Sequence, residues 1–64
     1  MIPDHVIKRT REVFDSEEKA KAWLNSPVTA LGDISPREAI KLRGDAGVEL
    51  VLAELGRIEH GIIS

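Results

Sequence analysis

The sequence predicts an all-α protein, a small bundle of about four helices, and three observations support that class. Apolar residues recur every three to four positions through most of the chain, no stretch alternates apolar and polar as a half-buried strand would, and capping residues stand at the expected helix starts. The 64 residues allow one domain, which at this size buries only ~60% of the surface its unfolded chain exposes. Without cysteine or a pair of metal-spaced histidines, neither disulfide nor zinc can staple so small a fold. Packing, or association with another chain, must supply the stability.

The first helix lies in "PDHVIKRTREVF", where Val6, Ile7, Thr10, Val13 and Phe14 line one face and Asp4 can cap the start. Asp15 or Ser16 breaks and recaps the chain, and Glu17 and Glu18 then occupy a first turn whose dipole favours negative charge. The second helix, about Glu17 to Asn25, turns Ala20, Trp23 and Leu24 inward and can pair Glu17 with Lys21 outside; Pro27 stops it. Trp23, the sole tryptophan, reads as a core anchor. "SPVTALGDIS" is a turning loop pinned by Val28, Leu31 and Ile34, so its ends should lie close.

"SPRE" opens the third helix with Ser35 as N-cap, Pro36 at the first helical position and Glu38 completing a capping box. This helix carries Ala39, Ile40 and Leu42 and stops near Gly44, after which Asp45 can cap the next. Val48, Val51, Leu52, Leu55 and Ile58 then mark the longest periodic stretch, a central helix running to about His60. Gly56 inside it costs ~1 kcal/mol relative to alanine, which points to a close neighbour at that position. Gly61 is placed to end the helix in a left-handed cap, leaving Ile62 and Ile63 as an apolar closing segment that serves either the core or another chain.

Charge and motif content narrow the function. No apolar run approaches the ~20 residues of a bilayer span, and no targeting segment opens the chain, so neither a membrane nor export is expected. The net charge of −2 leans away from phosphate-backbone binding. Arg37, Lys41 and Arg43 form a basic group on the third helix, but Glu38 and Asp45 interrupt it, and nucleic-acid binding by this chain alone is disfavoured. There is no phosphate loop and no metal set; Ser16 and Ser35 are explained as caps, and His5 and His60 as solvated or partly packed side chains. The chain is expected to be no enzyme and to need no cofactor or metal.

The string "VFDSEEKAKAWLNSPVTALGDISPREAI", Val13 to Ile40, resembles the toxin-binding domain at the C-terminal end of Xre/MbcA/ParS-type antitoxins. That pattern has an apolar-Phe pair, a capped helix with A-x-x-W-L, a small-Pro step, A-L-G-G and then [ST]-P opening a helix. "GVELVLAELGRIEHGIIS", Gly47 to Ser64, resembles the family's closing G-x-x-x-V-x-x-x-L-x-R-I-x-x-G stretch. The resemblance implies a helical bundle acting in the cytoplasm that neutralises a RES-domain toxin, an enzyme that consumes NAD or transfers ADP-ribose from it. The family's closing segment approaches or covers the toxin's active-site cleft. Here that role would fall on Arg57, Glu59, His60, Gly61, Ile62, Ile63 and Ser64, while Trp23, Leu24, Pro27, Leu31, Gly32 and Pro36 would shape the domain.

The chain departs from the family in three ways. Asp33 stands where a second glycine is frequent, and His60 where a tyrosine is frequent. Residues 1–64 would form the toxin-binding domain alone, too short to include the N-terminal helix-turn-helix common in the family, so the chain is either a natural short form or a fragment. Two other readings stay open: a homo-oligomerisation or adaptor module of a transcription regulator, acting as a homodimer, and an isolated DNA-binding domain.

Overall fold

A computed structural model describes residues 1–63, Ile62 and Ile63 through their backbone alone. The chain forms α1 (Asp4–Phe14), α2 (Glu17–Leu24), a 3-10 turn (Thr29–Leu31), α3 (Pro36–Arg43) and α4 (Asp45–Ile63). The α1–α2 break divides its labour between two residues. Asp15 adopts the left-handed conformation, φ 53°, and its N–H closes α1 on the Arg11 carbonyl at 2.8 Å; the Ser16 hydroxyl then accepts the Lys19 N–H at the start of α2. Asp4 is the first residue of α1 and supplies its acidic first turn, but the N-cap is Pro3 and no side chain caps it.

The loop before α3 closes on itself. Val28 and Ile34 form an isolated antiparallel bridge, with the Val28 N–H donating to Ile34 O at 3.0 Å, and Leu31 is buried beneath it. Gly32 and Asp33 turn the chain with φ of 86° and 63°. Asp33 is thus tolerated where the family often has glycine, because aspartate is among the few non-glycine residues that visit the left-handed region readily. Ser35 then caps α3 by accepting the Glu38 N–H at 3.1 Å, with Pro36 buried behind it.

The core is centred on Val6, Val51 and Leu55, none of which exposes any surface, and it is extended by Ile2, Val13, Leu24, Leu31, Ala39 and Ile40. Burying each large aliphatic stabilises by ~1.5–3 kcal/mol. Thr10 lies in this core without cost to its hydroxyl, which donates to the Val6 carbonyl at 2.7 Å. Trp23 packs on the margin rather than inside: it is half-buried and tilted against Phe14, ring centroids 5.6 Å apart. Leu42 is 68% exposed, since it lies two residues beyond Ile40, ~200° around a short helix whose buried side is Pro36, Ala39 and Ile40.

α4 is the hub, packing against both α3 and α1. The chain enters it through Gly44, at φ 59° and ψ −128°, a conformation that favours glycine and lets α4 begin directly at Asp45. The close approach expected at Gly56 occurs elsewhere. A Cβ on Gly56 would meet nothing within 4 Å, whereas one on Gly47 would land on the Ala39 carbonyl oxygen and 2.9 Å from Ile40 Cα. Gly47 is where α4 crosses the backbone of α3. Gly61 does not end α4 either; the helix continues through it to Ile63.

Candidate functional site

Of the residues singled out at the end of the chain, Arg57 and residues 59–63 lie on the last turns of α4. Arg57 is exposed and lies 3.6 Å from the Glu54 carboxylate one turn back. His60 and Gly61 are also exposed. Because Gly61 sits within the helix, the chain beyond Ile58 continues as a helical rod to Ile63 and makes no turn at the glycine. Whether Ile62 and Ile63 pack inward, and where Ser64 lies, are outside the described residues.

Glu59 differs from its neighbours because it is already engaged within the chain. Its two carboxylate oxygens take a forked pair of hydrogen bonds from Arg9 on α1, Nη2 to Oε1 at 2.6 Å and Nη1 to Oε2 at 3.2 Å. Glu12 lies 3.5 Å from the same guanidinium. This bond from Arg9 holds the Glu59 carboxyl below the usual carboxylate range, and Glu59 in turn raises Arg9 above its already high ordinary value. Both side chains are 35% exposed, so the gain is screened by solvent, and the fork contributes geometry more than stability. It ties the end of α4 to the middle of α1. Arg9 had no local signal in the sequence, being 50 residues from its partner; only the packing of α1 on α4 brings them together.

The chemistry available elsewhere is sparse. Among the described residues no three His, Cys, Asp or Glu side chains could hold a metal. Ser16 and Ser35 serve as caps, and the Ser26 hydroxyl donates to the Ala22 carbonyl at 2.6 Å. His5 is exposed on the first turn of α1. No helix of the described residues is long and apolar enough to cross a membrane.

Fold and site together define a small all-α bundle whose longest helix exposes Arg57 and His60 in its last turns and is tied there to α1 by the Arg9–Glu59 ion pair. The chain belongs to the Xre/MbcA/ParS antitoxin family: residues 9–61 match the Antitoxin Xre/MbcA/ParS C-terminal toxin-binding domain. The match begins at Arg9 and includes Arg57, Glu59, His60 and Gly61; Ile62, Ile63 and Ser64 lie beyond it. The chain is also similar to an Antitoxin Xre of Photorhabdus laumondii subsp. laumondii, 31% identical over 64 residues, covering 98% of this chain and 39% of that protein. It therefore spans about two fifths of the length of that curated relative. No solved structure matches it. The matched domain is the one described in that family as toxin-binding.

Proposed function

We propose that residues 1–64 form the toxin-binding domain of a cytoplasmic antitoxin that inhibits a RES-domain toxin without catalysing any reaction itself. In this mechanism the last turns of α4 enter the toxin's dinucleotide cleft and exclude NAD. The observation that carries it is the continuation of α4 through Gly61 to Ile63, with Glu59 fastened to Arg9 one turn before the end. A helix held at its base reaches a cleft with little ordering entropy left to lose, so more of its contact energy appears as affinity. Arg57, His60 and Gly61, with Ile62, Ile63 and Ser64, would face the toxin; Glu59 would aim them.

The test is NAD consumption by a cognate RES toxin titrated with the domain. The 64-residue chain should suppress it, deletion of residues 61–64 should weaken suppression while the circular dichroism stays helical, and Arg9→Ala should weaken it less. Undiminished NAD loss at saturating domain refutes inhibition, and unaltered inhibition by the truncated chain refutes the role of the closing segment.

One observation favours a second reading, self-association as a homodimer. Leu42 and Leu50, on α3 and α4, are 68% and 40% exposed. Sedimentation equilibrium with Leu42→Glu and Leu50→Glu decides it: a dimer lost in these variants supports a homodimeric module, and a monomer in the parent chain removes it.

A further inference from the structure

A cleft of about 300 Å³ lies between α1, α2 and the start of α3. Ile2, Ile7, Ala20 and Leu24 form its apolar lining, and Arg11, Lys21 and Arg37 stand around it with a single carboxylate, Glu17. These side chains sum to +2 on a chain whose net charge is −2, so the charge at the cleft opposes that of the molecule.

The three cations are held differently. Glu17 does not pair with Lys21 along α2; it takes a 2.8 Å hydrogen bond from Arg11 across the α1–α2 break. Lys21 is left with no carboxylate partner among the described residues. Arg37 gives its Nε to the Asn25 side chain at 2.7 Å, which orients the guanidinium while its two terminal nitrogens make no hydrogen bond to the described residues. Lys21 and Arg37 thus border an apolar floor with donors to spare, the arrangement that receives carboxylate from a ligand with an aliphatic part.

We propose that this cleft docks an acidic peptide segment of a partner protein, seating one or two aliphatic side chains on Ile2, Ile7, Ala20 and Leu24 while flanking carboxylates meet Lys21 and Arg37. The volume lies at the bottom of the range for small-molecule sites, ~300–1,000 Å³, and suits anchor side chains better than an enclosed ligand. No aromatic ring lines it on which a nucleobase could stack. The proposal goes beyond the toxin reading and does not depend on it, since the cleft involves none of the α4 residues assigned there.

The experiment titrates the 64-residue chain into a fluorescein-labelled peptide of two leucines flanked by aspartates, with a lysine-flanked peptide as control. Saturable binding of the acidic peptide is expected, weakened about tenfold by Lys21→Glu and by Arg37→Glu, with amide shifts in the 15N spectrum concentrated at Ile7, Ala20 and Leu24. Both variants change exposed residues, and unchanged circular dichroism verifies their folding. Equal binding of the two peptides, no binding up to about 1 mM, or indifference to both substitutions overturns the proposal. Self-association of the chain that Lys21→Glu abolishes also overturns it, because a second copy could then bring Leu50 and Glu49 to the same cleft.

Discussion

Gly47→Ala and Gly56→Ala are the same chemical change on the same helix, and they should move stability in opposite directions. Alanine is favoured over glycine by ~1 kcal/mol in a helix interior. At Gly47 the added methyl would meet the backbone of α3, with Ile40 Cα 2.9 Å away and Ala39 C 2.8 Å away. An ordinary carbon–carbon contact needs ~3.5 Å, so α3 and α4 must part by at least about 0.7 Å, and backbone cannot yield as the end of a flexible side chain can. Overpacking of this kind costs ~1–3 kcal/mol. With the backbone as the obstacle the upper end applies, and after the helix-propensity gain the net loss is ~2 kcal/mol. A core this small rarely supplies more than ~3–5 kcal/mol in total, so much of the stability goes. Urea unfolding followed by Trp23 fluorescence, with a slope of ~1 kcal/mol/M, should show a midpoint lowered by ~2 M. A Gly47→Ala protein as stable as the parent would refute the close crossing of α3 and α4.

Gly56→Ala, with nothing within 4 Å, should stabilise by up to ~1 kcal/mol, read as a raised midpoint in the same assay. Ser35→Ala removes the acceptor for the Glu38 N–H and should cost ~1 kcal/mol, seen as a lower thermal midpoint. Because Arg9 lowers the folded-state pKa of Glu59 below its ordinary 4.5, the pair stabilises the fold above that value and loses its contribution as pH falls through the lowered pKa. Urea midpoints taken between neutral pH and pH ~3 should therefore drop less steeply in Arg9→Ala than in the parent.

Features written in adjacent residues were legible in the chain alone. Ser16 and Ser35 cap α2 and α3 because a hydroxyl three residues before a free backbone N–H needs no distant partner. The spacing of Val51, Leu55 and Ile58 marked the inward side of α4 for the same reason: one helix turn sets it. The motif order from Val13 to Ile40 carried the family, which the match over residues 9–61 shows. The Glu17 to Lys21 pair was not formed, since Asp15 turns the chain so that Arg11 of the preceding helix reaches Glu17 instead.

By itself the sequence determined the all-α class, the serine-capped starts of α2 and α3, the inward stripe of α4 and the antitoxin family, all of them properties of neighbouring residues or of motif order. Tertiary structure decided which glycine matters, because Gly47 and Gly56 are alike in sequence and differ only in what α3 brings near them. It decided the partner of Glu59, since a bond between residues 50 apart exists only once α1 lies on α4. It also decided that α4 runs past Gly61: glycine permits a left-handed stop but does not impose one, and neither Ile62 nor Ile63 is a proline that would break the helix.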